Sequence, residues 1–229
     1  MYVPRAFEAS DRAWCHALID AESFGVLVSV DDAGAPFATH LPFLLERDRG
    51  PLGTLLGHVA RANPHWRYFR GSSARGAREA EVDPEATRAD RRSGVPALAI
   101  FAGPHAYVSP SWYAVHPSVP TWNYVAVHAY GSPVVIEDTA RTRALLARLV
   151  ATHEAGQPAP WSVDSLPEDY RAGMERGIVA FEMRIERLEG KAKLSQNRGT
   201  EDRARVRAAL AAREDRLAAL MEERLTTGE

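Results

Sequence analysis

Three stretches concentrate residue types that can hold a ligand. In "GPHAYVSPSWY" (103–113) and "PTWNYVAVHAYG" (120–131), Trp112, Tyr113, Trp122 and Tyr124 offer flat, rigid surfaces, while Ser109, Ser111, Thr121 and Asn123 offer hydrogen bonds. That combination suits a planar heteroaromatic ligand, a flavin or a nucleobase; the alternative is that these rings fill a β-sheet core. In "GHVARANPHW" (57–66) an apolar run turns into a helix start, which sets free backbone N–H groups and a positive helix end beside Arg61. The guanidinium adds a planar fork for an anion such as phosphate; the alternative is a capped helix with a solvated arginine. In "KAKLSQNR" (191–198), Lys193, Ser195, Gln196 and Asn197 put four hydrogen-bonding side chains into five positions. This is dense for a connector that only has to turn, and such a connector can close over a ligand.

Other chemistries find less support. The eight histidines, His105, His116 and His128 among them, match neither H-E-x-x-H nor a Cys/His zinc spacing, so no metal site is expected. A G-x-S-x-G nucleophile elbow is absent, as is the glycine fingerprint of a dinucleotide fold. The formal net charge of -2 provides no strong field toward nucleic acid or an anionic membrane. Of the 28 basic residues only Lys191 and Lys193 are lysines, so a lone arginine is weak evidence for an anion site. The single cysteine, Cys15, cannot form an internal disulfide and fits a packed thiol in a reducing compartment. Nowhere do about 18 apolar residues run together, and the start of the chain lacks an apolar signal-peptide core. A cytoplasmic protein without membrane contact is expected.

The elements that must position these residues read as mainly β. Ser10 and Asp11 cap a helix through about Ala21. "FGVLVSV", a "DDAG" turn with Gly34 at positive φ, and "PFATHLPFLLE" make a hairpin, and "GPLGTLLGHVA" is a third strand. Asn63 caps a short helix with Pro64 at its first position. Strands resume with "PALAIFAG", "AYVSP" and "NYVAVHAYGSPVVIE", the last bending at Gly131 and Pro133. Asp138 caps a helix over 139–153 with Leu145, Leu146, Leu149 and Val150 as its buried stripe. "LPEDYRAGME" is a further helix, "GIVAFEMRIERLEGKAKL" a strand through Leu188, and Thr200 caps one terminal helix to about Leu225.

Residues 71–94 hold five arginines against five acids with Val82 as the one large apolar side chain, and read as a flexible insertion. Five or six strands joined by short turns, with helices outside the run, predict a closed or partly open antiparallel barrel. The whole chain, 1–229, reads as a single domain with a C-terminal helical extension.

Taken in order, "MYVPRAF", "THLPFLL", "LGHVARANPHW", "GPHAYVSPSWY", "VPTWNYVAVHAYG" and "KLSQNR" span almost the whole chain. This series resembles the PaiB-type family of FMN-binding negative transcriptional regulators, within the FMN-binding split-barrel superfamily. The resemblance implies a six-stranded split barrel that forms a homodimer, with FMN in a groove between the two subunits. It implies His58 and Arg61 near the FMN phosphate, with Asn63 orienting the turn. Thr39, His40 and Pro42 would border the ring system, and Ser109, Trp112, Trp122 and Asn123 would pack on it or hydrogen-bond to it. Lys193, Gln196 and Asn197 would reach in from the terminal segment. The family's short connection after "NPHW" is stretched here by 71–94. Function then reads as a negative transcriptional regulator that senses redox or flavin state, the alternative being an FMN-dependent oxidoreductase of a small molecule. The sequence contains no convincing DNA-reading element, so DNA contact is implied by the resemblance and not by charge.

Overall fold

The computed structural model describes residues 1–69 and 95–227; the insertion expected over 71–94 lies outside the described residues. The chain divides into two compact units, one of residues 23–100 and 129–188, the other of 1–22, 101–128 and 189–229. Three of the strands, β5, β6 and β9, contribute residues to both.

In the first of these units, β1 (Phe24–Val30) turns through Asp31–Ala35 into β2 (Pro36–Pro42), pairing antiparallel from Phe24↔Pro42 to Val30↔Pro36. The turn works as its residues predict. Gly34 takes φ +83°, and the Asp31 carboxylate accepts the Ala33 and Ala35 N–H groups at 2.9 Å each. β1 also pairs with the opening residues of β5 (Ala97–Val108). A second sheet has the order β3-β4-β8-β7, from β3 (Leu44–Glu46), β4 (Thr54–Ala60), β7 (Pro133–Val135) and β8 (Ile178–Arg184). α3 (Thr139–Glu154), capped by Asp138, lays Leu145 and Leu149 on a cluster with Leu44, Leu56, Ile136 and Ala180. Leu146 and Val150, expected in the same stripe, are half-buried. α2 (His65–Tyr68) follows β4, and α4 (Glu168–Arg176) precedes β8.

In the other unit, β5, β6 (Thr121–Gly131) and β9 (Arg187–Lys193) are neighbours in that order. α1 (Arg12–Ala21) is capped by Asp11, whose carboxylate accepts from Ala13 and Trp14, and it buries Cys15, Leu18 and Ile19. α5 (Thr200–Ala211) buries Val206 and Leu210, and α6 (Leu217–Thr227) contributes Leu217 and Met221.

Among the described residues the seven expected strand runs become nine strands, because three of them break and two join. The "PFATHLPFLLE" run divides at Phe43, the 121–135 run at Ser132, and the 178–193 run at Ile185 and Glu186. At each break the chain changes sheet, which is how strands turn corners in barrels and sandwiches. The donors released there are taken up at once: Phe43 N–H by the Ser23 carbonyl, Ile185 N–H by Gly53 and Glu186 N–H by Tyr130, at 2.8–3.0 Å. Gly131 is needed at its corner, since a Cβ there would fall on the Arg184 carbonyl. Two other expectations change. "PALAIFAG" and "AYVSP" are one unbroken strand, because Gly103 and Pro104 fit within the pleat. The terminal helix is two helices. It breaks where Glu214 takes φ +55° and the Asp215 carboxylate accepts Leu217 N–H at 3.0 Å, and Gly199, not Thr200, stands at the N-cap of α5.

One buried imidazole ties β1, β2 and α2 together. His65 is fully buried, with Nε2 2.9 Å from Ser29 Oγ and Nδ1 2.8 Å from Thr39 Oγ1. Phe37 meets it edge-on at 5.0 Å and Phe69 lies at 5.4 Å. Burial drives its pKa from 6.5 down to about 4, so the ring is neutral at pH 7.

Two predictions follow from this packing. A base with a lowered folded-state pKa binds its proton more readily when unfolded, so stability is full above about pH 6.5 and falls as pH drops toward 4. His65 accounts for up to about 3 kcal/mol of that loss. Urea melts across this range should show a shallower pH slope for His65→Gln than for the parent, and equal slopes would refute the assignment. A Cβ at Gly190 would meet the Ala9 carbonyl, and Cys15 Sγ at 2.7 Å. Gly190→Ala is therefore expected to cost about 1–3 kcal/mol. Gly156→Ala, at a site with nothing within 4 Å, should stay within about 0.5 kcal/mol in the same thermal melts.

Candidate functional site

The residues singled out from sequence fall into two groups. Thr39, His40, Pro42, His58, Arg61 and Asn63 belong to the unit of β1–β4, and the other seven belong to the unit of α1, α5 and α6.

Within the first group, strand alternation sends Thr39 inward and His40 outward. Thr39 Oγ1 meets His65 Nδ1 and accepts from Asn63 Nδ2 at 3.1 Å, and Asn63 Oδ1 accepts the His65 N–H at 3.0 Å. Asn63 thus closes the turn around His65. His40 is exposed and stacks on Phe24 at 6.3 Å, with half-buried Pro42 two residues on.

His58 shares its face of β4 with Leu56 and stands opposite Ala180, on the side that α3 covers. Its Nδ1 is buried with no hydrogen-bond partner among the described residues, and burial lowers its pKa. Arg61 follows the end of β4. Its Nε donates to the Arg176 carbonyl at 2.7 Å and an Nη to the Ile178 carbonyl at 2.8 Å, and its own carbonyl accepts from the Trp66 indole. These bonds use two of five guanidinium N–H groups and hold the fork in one orientation. The rest faces a cavity of about 540 Å³ lined also by Trp66, Thr139, Thr142, Arg143 and Arg176.

In the second group, Trp122 is 52% exposed although it lies within β6. His105 lies 6.2 Å from it and Tyr107 meets it edge-on at 6.0 Å, forming an open aromatic surface. Trp122 and His105 line a cavity of about 350 Å³ with Gly103, Tyr124 and Val125. Volume and lining suit a flat ring system, so this surface fits a flavin. Trp112 is half-buried with the Arg213 guanidinium 5.9 Å from its ring centroid, and Ser109 caps the short turn that contains it.

Asn123 alternates inward from Trp122 and is fully buried. Its amide is spent on Ser195 Oγ, at 2.9 Å from Nδ2 and 3.1 Å from Oδ1, with Met221 sulfur 3.8 Å from Nδ2. Ser195 has φ +66°, a left-handed conformation unfavourable for a serine. Asn123 therefore holds the 193–198 connector in a bent state. Gln196 folds back on that connector, accepting from Leu194 N–H and donating to the Ala192 carbonyl, while Asn197 is exposed. The Lys193 ammonium bonds the Thr121 hydroxyl, and burial followed by the charge of Lys191 lowers its pKa.

Three structurally important residues escaped the sequence-based site. His65 looked like one helix residue among others, because only the fold brings Ser29 and Thr39 to its two nitrogens. Lys191 is buried, and so is Asp202, whose carboxylate accepts Ala114 N–H at 2.7 Å and Val115 N–H at 3.2 Å. Their one sequence signal is an ionisable residue at an inward position of an alternating or helical pattern.

The chain matches the family described as "Putative FMN-binding domain" over residues 1–187. It is 33% identical to the Protease synthase and sporulation protein PAI 2 of Bacillus subtilis, over 98% of both chains. Among solved structures it is similar to the flavocytochrome Anf3 of Azotobacter vinelandii, with a TM-score of 0.57 at 15% identity, covering 89% of this chain and 78% of that one. It is likewise similar to the FAD and heme binding protein of Mycobacterium smegmatis, with a TM-score of 0.56 at 18% identity, covering 86% and 78%. The fold is a split β-barrel of mainly antiparallel strands with added helices. Its sequence from end to end and its fold agree, and the chain belongs to the PaiB-type family of FMN-binding proteins.

Proposed function

We propose that this PaiB-type protein works as a cytoplasmic homodimer that binds FMN with residues of both subunits and uses the state of the flavin to regulate transcription negatively. The observation that carries the flavin part is the open surface of Trp122, His105 and Tyr107 beside a cavity of about 350 Å³. Trp122 and His40 are offered to the ring system. Thr39, Pro42, Ser109, Trp112 and Asn197 border it. Arg61 is offered to the phosphate, with His58 inside the same strand end, Asn63, Asn123 and Gln196 holding the local backbone in place, and Lys193 as a hydrogen-bonding nitrogen of the terminal segment. Bound FMN supplies one- and two-electron redox chemistry, and the surrounding residues set its orientation and electronics. Cys15 is buried and in no disulfide among the described residues, which suits a reducing compartment. Among the described residues, no helix is long and apolar enough to cross a membrane.

The regulatory part rests on the likeness to the family; among the described residues of the C-terminal helical segment, three arginines are paired with acids. Arg205 is paired with Glu201 at 2.8 Å, Arg216 with Glu22 at 2.7 Å, and Arg207 with Glu222. Arginines matched this closely by acids present little net charge to a phosphate backbone. The proposal therefore runs from the flavin through a partner protein or a small molecule as readily as through an operator.

Two measurements check this reading. In a titration followed by quenching of flavin fluorescence, Trp122→Ala and Arg61→Ala should each weaken FMN binding about tenfold, the loss of about 1.4 kcal/mol. Unchanged affinity in Arg61→Ala would remove it from the phosphate site, and unchanged affinity in both variants would sink the arrangement. Under anaerobic conditions, the bound flavin is expected to keep its absorption bands when a nicotinamide reductant is added. Bleaching at a catalytic rate would replace the regulator with an FMN-dependent oxidoreductase.

A further inference from the structure

The chain has only two lysines, and both lie on β9 at positions i and i+2, where a strand presents its side chains to one face. Lys191 is 6% exposed; its Nζ donates to the Tyr2 carbonyl at 3.0 Å and lies 5.6 and 5.0 Å from the ring centroids of Tyr2 and Tyr124. The Lys193 Nζ bonds the Thr121 hydroxyl and lies 6.0 Å from the Phe7 ring. Neither lysine has a carboxylate partner among the described residues. The acid on the same strand, Glu189, is taken by the α-amino group of Met1.

Two ammonium groups on one face, surrounded by rings, a hydroxyl and a carbonyl, form an uncompensated pair of partly desolvated charges. The pair is relieved when the more accessible member gives up its proton. That member is Lys193, whose pKa burial and then Lys191 lower below the usual lysine range. An amine whose pKa is lowered, held beside a fixed ammonium, reaches its nucleophilic form more readily than a free lysine and has an anion attractor next to it.

We propose that Lys193 forms a reversible imine with a small aldehyde or 2-oxo acid bearing a carboxylate, which the Lys191 ammonium draws to the site. The Nζ lone pair attacks the carbonyl carbon, a C–N bond forms, and the C=O π electrons move to oxygen. The amine proton passes to that oxygen, and the Thr121 hydroxyl is placed to relay it. The carbinolamine hydroxyl takes up one proton from solvent, the nitrogen lone pair expels it as water with cleavage of the C–O bond, and the protonated imine remains. No oxidant or reductant enters. The step needs no flavin, so its outcome is independent of the proposed cofactor role.

The test treats the full chain, without added flavin, with glyoxylate and cyanoborohydride, which fixes an imine as a stable carboxymethyl amine. Peptide mapping by mass spectrometry then compares Lys193, Lys191 and the Met1 amine. The expected result is one adduct per chain, at Lys193, formed faster than on N-acetyl-lysine in the same solution. In urea this preference should disappear, a control that requires no folded variant. Lys191→Met should slow labelling by both aldehydes, because the charge that lowers the Lys193 pKa is lost, and should slow glyoxylate more than propanal, because the carboxylate attractor is lost as well. Labelling that favours Lys191 or the Met1 amine, a Lys193 rate equal to that of N-acetyl-lysine, or a preference that persists in urea overturns the nucleophile. Equal slowing of glyoxylate and propanal overturns the carboxylate class.

Discussion

A backbone N–H that leaves a ladder inside a protein must find another acceptor, and this requirement decides where the long strands of this chain can bend. At 43, 132 and 185–186 a run leaves one sheet for the other, and the amides of Phe43, Ile185 and Glu186 are received by carbonyls of Ser23, Gly53 and Tyr130. The acceptors come from segments that are themselves turning or starting a strand. Corners therefore satisfy one another, and Gly131 is the residue that lets two of them approach closely enough.

The same economy governs the buried polar side chains. His65 is accepted into an aromatic core because a hydroxyl stands at each ring nitrogen, and Asn63 completes the set by bonding both Thr39 and the His65 backbone. Asn123 and Ser195 form a comparable closed pair, which holds a serine in a left-handed conformation. Networks of this kind restrict geometry more than they add stability, since each partner loses water to join. Here they fix the two segments from which candidate site residues project, the end of β4 and the connector after β9.

The contrast between those saturated groups and the open surface around Trp122 is informative about function. A large aromatic residue left half in water within a strand costs the solubility of the surface unless something covers it, and single exposed rings are less telling than a group of three beside a cavity. Lys193 lies in the same compact unit, with a hydroxyl beside it and no carboxylate partner among the described residues.

The sequence alone determined the element types, the Asp11 and Asp138 caps, the Gly34 turn and the family, because each rests on local backbone preference or on motifs read in order. It also marked Trp122, Arg61 and Asn63 as chemically notable. It did not distinguish seven runs from the nine strands of the described residues, since a break satisfied by a distant carbonyl leaves no local sign, and "AREDRLAAL" carries no glycine or proline to betray the end of α5. Nor did it separate Trp122, which faces water, from neighbouring Asn123, which is fully buried. Only tertiary structure decided that His65 would meet Ser29 and Thr39, and that the two lysines would share one face without a counter-charge among the described residues. Hydrogen bonding and desolvation depend on which residues are brought together from far apart in the chain, and that is a property of the fold, not of any segment within it.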